Sequence, residues 1–410
     1  MRMLMNRSNI TSAVCATILG AALVSVAGGA ERSAAPRSGR DVQYIVIELR
    51  LPEPWTSARP YAMNEQGQIV GEGRIGGSDR AFLWDDGEMI NLGILPGDDW
   101  SCAYDINNDG VIVGWSEGGY HHAVAWVDGE IIDLGDGNDG WAFAINDEGM
   151  IVGWSRVGGD WHAFIGDVTG WQIDIGANWP GEDSCATAIN EEGIVVGWVQ
   201  VSDVMCEPRD SFMWDDGEIT LFWQFPPPES YHYIPWDINE ACSVVGEKRH
   251  GWYMGCAAYD YQAWHWHAGE GVILPNPHPE CPFHAALAIN DAGDAVGWAV
   301  QWFGEYHCAA LWRDGIAYDL NDLVDPESPW HIEAAYDIDS RGRILAYEYP
   351  HPLLLLPIKP GDIDEDGDVD TQDLLALLAA WGECEGCPED IDGNGVVNTA
   401  DLLTLLGNWG

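Results

Sequence analysis

One short stretch recurs seven times along the chain, and it constrains the fold more than any other feature. Its clearest copy is AFAINDEGMIVGW at residues 142–154, in which two β-rich runs flank a polar turn. The copies are centred on Asn64, Asn107, Asn146, Asn190, Asn239, Asn290 and Asp339. A Gly follows each centre except Asn239. The centres recur roughly every 40 to 50 residues, which is the length of a four-stranded propeller blade.

A second hairpin follows the first and completes each unit. The segments at residues 81–93, 122–135 and 211–222 each place two β-rich runs around an Asp-Gly turn. The last copy has only three strands, whereas an unassigned strand stands at residues 42–49. The sequence therefore predicts a mainly β fold, a seven-bladed propeller with four-stranded blades, whose last blade is closed by the N-terminal strand.

The first 30 residues have the form of a secretory signal. Arg2 and Arg7 precede an apolar run at residues 13–27, and small residues end at Ala30. The run is shorter than the roughly 20 residues that a transmembrane helix needs. We expect a signal peptide at 1–30, a linker at 31–40, the propeller at 41–357 and a separate module at 358–410. This organisation predicts a secreted or cell-surface protein without a transmembrane segment.

The chain is strongly acidic. It has 67 acidic and 17 basic side chains, and a formal net charge of −50. Such a charge disfavours nucleic acid and anionic membranes as partners. It suits a protein that binds divalent cations, and it equally suits a solvated acidic coat that maintains solubility.

Two acidic loops near the C-terminus give the most specific signal in the sequence. Alternating oxygen-bearing residues with a Gly at the sixth position are the pattern of a twelve-residue calcium loop. The predicted ligands of the first loop are Asp362, Asp364, Asp366, Asp370 and Asp373, with the backbone carbonyl of Asp368. Those of the second loop are Asp390, Asp392, Asn394, Asn398 and Asp401, with the carbonyl of Val396. The pattern predicts two calcium ions, and an incidental acidic turn is the alternative.

Each loop leads directly into an apolar helix, at residues 374–381 and 402–406, with no helix before it. This duplicated arrangement resembles the type I dockerin module and covers about the last 50 residues. The resemblance implies a cohesin-like or cell-surface partner that binds through residues 361–410. In that family, positions matching Thr371, Gln372, Thr399 and Ala400 contact the partner.

The repeats resemble those of the secreted bacterial HAF-repeat proteins. The His-Ala-Phe triplet that names the family stands here as His162-Ala163-Phe164, and it is degenerate in most other copies. The match covers most of residues 41–350. The resemblance implies an extracellular repeat domain, and it assigns no chemistry.

The 23 tryptophans fall into two groups. Those at fixed repeat positions, such as Trp126 and Trp154, indicate packing between blades. Others lie outside that register and are placed by the sequence in long loops on one face. The candidates for ligand contact are Trp236, Trp252, Trp302 and Trp330. Variable loops on a rigid scaffold commonly carry binding surfaces, so we expect a glycan or protein ligand on this loop face; loop anchoring is the alternative.

Nine cysteines remain after the predicted signal, and export permits disulfides. The expected pairs are Cys185 with Cys206, Cys281 with Cys308 and Cys384 with Cys387. Binding of a metal by thiolates is a less favoured alternative, because two closely spaced Cys/His pairs are absent from the sequence.

The combined features predict a secreted calcium-binding propeller that acts as a binding or cell-surface attachment protein. The alternative is a polysaccharide-active enzyme, a glycoside hydrolase or lyase. The sequence contains no nucleophile elbow, phosphate loop or zinc-helix motif, and we assign no catalytic residue. The enzyme hypothesis requires two acidic residues from different blades at one mouth of the channel, with pKa values pushed apart.

Overall fold

A computed structural model describes residues 43–135, 139–200, 209–222, 231–251, 258–301, 307–364, 367–384 and 387–409. The predicted signal peptide and linker lie outside these residues. The first strands in chain order are β1 (Tyr44–Glu48), β2 (Trp55–Met63), β3 (Ile69–Ile75), β4 (Ser78–Asp85), β5 (Glu88–Asn91), β6 (Trp100–Ile106), β7 (Ile112–Glu117), β8 (His121–Val127), β9 (Glu130–Asp133), β10 (Gly140–Ile145), β11 (Ile151–Val157), β12 (Asp160–Asp167) and β13 (Gly170–Asp174).

The remaining elements continue in the same order. The strands are β14 (Ser184–Ile189), β15 (Val195–Gln200), β16 (Arg209–Asp215), β17 (Glu218–Leu221), β18 (Tyr231–Ile238), β19 (Val244–Gly251), β20 (Ala258–His267), β21 (Glu270–Ile273), β22 (Phe283–Ile289), β23 (Ala295–Val300), β24 (His307–Arg313), β25 (Ile316–Asp319), β26 (Ala334–Ile338), β27 (Ile344–Glu348), β28 (His351–Pro357), β29 (Gly382–Glu383) and β30 (Val396–Val397). The helices are α1 (Thr371–Ala379) and α2 (Thr399–Gly407), with short 3-10 turns at Gly176–Asn178 and Leu320–Asp322.

The strands form seven antiparallel four-stranded sheets arranged as a propeller. Blades 1 to 6 each use four consecutive strands, from β2–β5 to β22–β25, and blade 7 uses β26–β28 with β1. The first strands of successive blades contact each other in a closed ring, in which β26 lies against β2. The predicted fold class is confirmed.

The N-terminal strand closes the last blade, as the sequence predicts. β1 pairs antiparallel with β28, with Tyr44 opposite Pro357 and Glu48 opposite Leu353. β1 is therefore the outermost strand of blade 7. Because the ring joins both ends of the propeller chain, no gap separates blade 7 from blade 1.

The turns explain much of the repeat motif. In blade 1, Asp86 and Gly87 of the second hairpin have φ values of 45° and 86°, as a two-residue hairpin turn with matching twist requires. In the first hairpin of blade 3, Gly149 has φ 77°. Cys242 takes the corresponding position in blade 5 at φ 54°, which is uncommon for a residue with a Cβ.

A β-bulge interrupts every first strand three residues before the central Asn or Asp. In blade 3 the pairing shifts between Ala142 and Ala144, which leaves Phe143 as the extra residue. Gly153 stands opposite, where a Cβ would lie 2.0 Å from the carbonyl oxygen of Trp141. Six blades share this close approach. The recurring Gly of the second strand therefore fits the bulge closely in these six blades, whereas Ala346 stands opposite the same bulge in blade 7.

The core lies between neighbouring blades. Ala62 and Val70 of blade 1 pack in one buried cluster with Ile112 and Trp126 of blade 2. Trp126 is 1% exposed. The prediction that periodic tryptophans pack between blades is confirmed for Trp126 and also for Trp154, which contacts Trp198 of blade 4 and keeps a partly exposed surface.

The central Asn of each repeat ties its blade to the next. The Oδ1 atom of Asn146 accepts a hydrogen bond from the backbone N–H of Met150 within its own turn. Its Nδ2 atom donates to the carbonyl oxygen of Asn190 in blade 4, at 3.0 Å. Equivalent Asn-to-carbonyl bonds link blades 1 through 7 in sequence.

The helices of the described chain are short. Neither α1 nor α2, nor any other helix in the described segments, combines the length and apolarity that spanning a membrane requires. The two helices contact each other at the C-terminus, where Val369, Leu377, Val397 and Leu405 form a small buried core.

Candidate functional site

The two predicted calcium loops each bring three carboxylates together. Oxygen atoms of Asp362, Asp364 and Asp373 all lie within 4.8 Å of one another. The same holds for Asp390, Asp392 and Asp401 in the second loop. These sets correspond to positions 1, 3 and 12 of the predicted loops, so the structure brings together residues that the sequence spacing selected.

A left-handed residue allows each loop to fold back on its first carboxylate. Gly367 and Gly395 occupy the sixth positions with φ 95° and 88°. The N–H of Gly367 donates to Asp362 Oδ2 at 3.0 Å, and the N–H of Gly395 donates to Asp390 Oδ2 at 2.6 Å. The first ligand of each loop is thereby oriented by the backbone.

The last ligands also begin the helices. The side chain of Asp370 caps α1 and accepts from Gln372 N, while Asp373 accepts from the N–H of Asp370. Asn398 and Asp401 form the same capping box for α2. This arrangement explains why each loop leads into a helix without an intervening turn.

The twelfth-position carboxylates are buried. Asp373 and Asp401 are both 0% exposed. Burial opposes ionisation of Asp401, but donors that include Asn398 N and Asp392 N outweigh it and lower the pKa of this carboxyl group. A buried anion of this kind favours a nearby cation. The all-oxygen donor sets fit a hard divalent cation, which these carboxylates and the predicted backbone carbonyls would hold.

Two residues of the first predicted loop, Asp366 and Asp368, are not among the three clustered carboxylates of the described residues. Asp366 lies outside the described residues. The side chain of Asp368 lies 3.1 Å from Arg341 Nη1 and 3.5 Å from Lys359 Nζ, so its carboxylate faces the propeller. The predicted ligand atom of Asp368 is its backbone carbonyl oxygen, not this side chain.

The helices leave matching apolar side chains in solvent. Leu375 and Leu403 are 62% and 69% exposed at equivalent positions of α1 and α2. The other exposed apolar residues on or after the helices are Leu378, Trp381, Leu406 and Trp409. Solvated leucine and tryptophan at the same positions of both helices suggest an interaction surface.

Three carboxylates from different blades lie on the innermost strands. Asp105, Asp237 and Asp337 each follow a bulge, in blades 2, 5 and 7. Each accepts one N–H from its own strand and one from the next blade, as Asp105 does from Ile106 and Ile145 at 2.8 Å. They therefore clamp neighbouring blades together.

Burial, together with repulsion from the other carboxylates, raises the pKa of these groups. The pKa of Asp105 rises to about 8, that of Asp237 to about 7 and that of Asp337 to about 6. The enzyme hypothesis required acidic residues from different blades with pKa values pushed apart. Carboxylates from different blades are present, but all three pKa values move upward, and both oxygens of each group already accept backbone hydrogen bonds.

Five of the seven bulge residues are aromatic and line part of the axis, whereas Thr187 and Leu287 stand at the bulges of blades 4 and 6. Tyr61 contacts Tyr104 and Tyr336 with ring centroids 5.6 and 5.8 Å apart, and Tyr104 lies 5.2 Å from Phe143. Trp236 holds the same position in blade 5. Sequence reasoning missed this ring, although its signal is simple: the residue three before each repeat centre.

The predicted ligand-face tryptophans have different outcomes. Trp236 was expected in a loop outside the repeat register, but it lies in β18 at the bulge, because the extra residue obscures the strand periodicity. Trp330 packs partly buried against the core between blades 6 and 7, 5.2 Å from His351. Trp252 and Trp302 lie outside the described residues.

One cysteine prediction is confirmed and one is wrong. Cys384 and Cys387 form a disulfide. Cys281 and Cys308 are thiols that share a buried cluster and a hydrogen bond, so proximity was predicted correctly but the covalent bond was not. Cys206, the expected partner of Cys185, lies outside the described residues.

A cavity lies at the end of the propeller axis where the short turns of the first hairpins meet. It has a volume of about 370 Å³ and lies inside a ring of turn residues that includes Glu65, Asp147, Glu191 and Glu240. Each turn side chain accepts an N–H from the preceding blade, as Glu240 does from Glu191 at 2.7 Å. These acidic groups therefore serve to join blades.

Comparisons with known proteins give similarity of fold and nothing finer. No family model and no curated protein matches the chain. A streptogramin B lyase structure is 12% identical over 78% of this chain and 100% of its own, with a TM-score of 0.48. An oligogalacturonate lyase from Vibrio parahaemolyticus is 12% identical over 76% and 92%, with a TM-score of 0.49. The propeller domain of the Trilobed protease from Pyrococcus furiosus is 10% identical over 71% and 89%, with a TM-score of 0.45. At these values the likeness carries no information about ligand or activity.

Proposed function

We propose that the protein is a secreted calcium-binding protein, which attaches to a partner through its C-terminal module and holds a ligand on its propeller. The observation that carries this proposal is the pair of carboxylate triads at Asp362 and Asp390, each followed directly by a capped helix. The signal-like N-terminus supports secretion. The dockerin and HAF-repeat resemblances support an extracellular attachment protein.

Calcium is the cation that the loops favour. The ligands are carboxylate, amide and carbonyl oxygens, and calcium accepts six to eight such groups in a flexible arrangement. Two loops of equal design imply two ions. Because the carboxylates of each triad repel one another without a cation, binding stabilises the module.

The exposed side chains of α1 and α2 are the proposed attachment surface. Leu375 and Leu403 occupy equivalent positions, so a partner could dock on either helix in related ways. A cohesin-like or other cell-surface protein with an apolar surface fits this pattern. Substituting Leu375 and Leu403 by Glu should prevent partner capture without altering metal uptake.

Calorimetric titration of the full chain tests the metal assignment. We expect two calcium ions for the wild-type chain, one for Asp362→Ala and one for Asp390→Ala. Glu270→Ala, an exposed acidic control in blade 5, should still take up two. Removal of calcium should reduce the helical circular dichroism signal. A wild-type chain that takes up no calcium would reject the proposal.

A polysaccharide-active enzyme is a second candidate, for which Asp105, Asp237 and Asp337 are the available acidic residues from different blades, although each already accepts two backbone hydrogen bonds. Carboxyl groups with pKa values of about 8, 7 and 6 include protonated and ionised partners near neutral pH. Incubation with polysaccharides, followed by assay for new chain ends, tests this function. Activity that disappears in Asp105→Asn, with the fold retained, would favour the enzyme over the binding protein.

A further inference from the structure

An aromatic tract extends from the axis of the propeller across blades 7, 1, 2 and 3. We define it by six residues: Tyr336, Tyr61, Tyr104, Phe143, Trp154 and Trp161. Their ring centroids follow one another at 5.8, 5.6, 5.2, 6.2 and 4.7 Å. The tract is thus a continuous line of rings, and it crosses three blade boundaries.

The rings retain exposed surface. All six residues are partly exposed, in contrast to Trp126 and Trp264, which are 1% and 0% exposed between blades. Four of the six occupy the bulge position, where the bulge adds a residue on the innermost strand. An accessible aromatic line beside the axis of a rigid fold is suited to stacking against a ligand.

Polar groups accompany the rings. The hydroxyl of Tyr61 donates to Glu72 Oε1 at 2.9 Å, and the indole N–H of Trp115 donates to the hydroxyl of Tyr104 at 3.1 Å. The guanidinium of Arg156 lies 5.5 Å from the ring centroid of Trp161. Aromatic faces with hydrogen-bonding groups at their edges match sugar rings, which have apolar C–H faces and hydroxyl edges.

The tyrosine hydroxyls remain donors at physiological pH. Burial raises the pKa of Tyr61, and the nearby Cys102 and Glu72 raise it further. Burial also raises the pKa of Tyr104. Both groups are therefore protonated and uncharged, and their partners fix their orientation.

The charge near the tract favours an uncharged ligand. Glu72 lies beside Tyr61, and Glu333 acts electrostatically on Tyr336. Arg59 and Arg156 lie 5.5 Å from the rings of Tyr347 and Trp161, and the chain as a whole carries −50. The two carboxylates and the two guanidinium groups beside the rings balance one another, and the net charge of −50 on the whole chain disfavours a polyanionic ligand.

We propose that the aromatic tract binds an uncharged glycan chain, whose sugar rings contact the exposed parts of Tyr336, Tyr61, Tyr104 and Phe143. This inference rests on the proposed function, in which the propeller holds a ligand. A narrow polymer fits the tract better than a broad protein surface, because the central rings stand on the innermost strands next to the axis. Stacking and edge hydrogen bonds would supply the binding energy without ion pairs.

Binding of the full chain to soluble polysaccharides tests the proposal. The panel contains uncharged glucans, mannans and xylans, with polygalacturonate as the anionic member. We expect binding to at least one uncharged polymer that changes little with salt. Tyr61→Ala and Tyr104→Ala should each weaken it about tenfold or more, as loss of one stacking ring predicts. Tyr104→Phe, which keeps the ring, should retain most of the affinity.

Two controls separate binding from folding. Trp266→Ala removes a partly buried ring that stacks on Phe222 at 4.4 Å in another part of the propeller, and it should leave glycan affinity unchanged. Thermal melting and circular dichroism of each variant check the fold. If Tyr61→Ala does not fold, the variants Tyr61→Phe and Tyr104→Phe still test the contribution of the rings. Each keeps its aromatic ring and loses only the hydroxyl, so glycan affinity should be largely retained.

The outcomes distinguish this inference from the proposed function. Salt-sensitive binding to polygalacturonate alone, affinity unchanged in folded Tyr61→Ala and Tyr104→Ala variants, or binding to a protein but to no glycan would each overturn it. In those cases two-ion calcium uptake by the same preparation would leave the proposed function standing. If the chain takes up no calcium but still binds the glycan, the glycan proposal stands and the calcium assignment of the proposed function fails.

Discussion

The guanidinium of Arg343 donates a hydrogen bond through Nη2 to the backbone carbonyl oxygen of Glu65, at 3.0 Å. This bond joins blade 7 to blade 1, where the ring of Asn side chains would otherwise be interrupted. Asp339 replaces Asn at the seventh repeat centre, and its ionised side chain has no N–H to donate. Arg343 pairs with Asp339 in its own turn and provides the missing donor. The ring of inter-blade bonds is thus completed by an ion pair.

The Asn ring predicts the effect of replacing one donor by a carboxylate oxygen that faces the same carbonyl. Asn146→Asp keeps the acceptor for Met150 N–H but cannot donate to the carbonyl of Asn190. We expect the free energy of unfolding to fall by about 1–3 kcal/mol, the cost of an unpaired buried acceptor. Denaturant unfolding measures it. Asn91→Asp, at an exposed site where the side chain only accepts, should change stability far less; equal losses would contradict the role of the ring.

The close approach at the bulge predicts that blade 3 needs glycine at position 153, although blade 7 has Ala346 at the equivalent position. Gly153→Ala would place a Cβ 2.0 Å from the carbonyl oxygen of Trp141, so the first strand must shift. We expect a loss of about 2–4 kcal/mol in the free energy of unfolding. Gly407→Ala, which meets no atom within 4 Å, is the control. A folded Gly153→Ala protein of wild-type stability would show that the bulge is not rigid.

The three clamping carboxylates predict a stability that falls as pH rises. Their folded pKa values of about 8, 7 and 6 lie above the ordinary value of 3.8, so the folded state binds the additional protons. Their contribution is complete below about pH 4 and is lost as the pH rises through 6 to 8. Melting temperatures at fixed ionic strength should decline from pH 5 to pH 9. The slope should be shallower for Asp105→Asn, and a slope unchanged in that variant would assign the effect elsewhere.

The contact between Asp368 and Arg341 predicts that the module is held against blade 7. Both side chains are partly exposed, so Asp368→Asn should change stability by less than about 1 kcal/mol. It preserves the backbone carbonyl, and calcium stoichiometry should stay at two ions. Small-angle scattering should show a more extended particle if this ion pair restrains the module. Dimensions identical to those of the wild type would mean that other contacts, such as Leu356 against Gly367, suffice.

Much of the fold follows from local patterns. Turn chemistry, strand alternation and repeat length predict the blades, and the unpaired strand at residues 42–49 predicts closure. The acidic loops predicted to bind calcium are equally local, since positions 1, 3 and 12 are fixed by a single loop. The aromatic lining was missed for a physical reason. A bulge adds one residue to the strand, so the period of two fails where Phe143 and Trp236 stand.

The predicted disulfide between Cys281 and Cys308 is wrong for a similar reason. Loop placement correctly brought Cys281 near Cys308, but whether two neighbouring thiols bond depends on side-chain geometry that sequence does not specify. The roles of Asp105, Asp237 and Asp337 were also hidden, because each carboxylate finds its second partner on another blade. Contacts of that kind depend on the assembled ring.

The pairing of β1 with β28 also sets the order in which the molecule is completed. Tyr44 is among the first residues of the propeller to be synthesised, and its partner Pro357 is among the last. Six blades can form from consecutive segments as they emerge, whereas β1 must remain unpaired until the whole propeller sequence is available. During that interval the exposed strand can join a neighbouring chain. A chaperone that protects residues 44–48 would therefore affect the yield of this protein more than one that acts on any later strand.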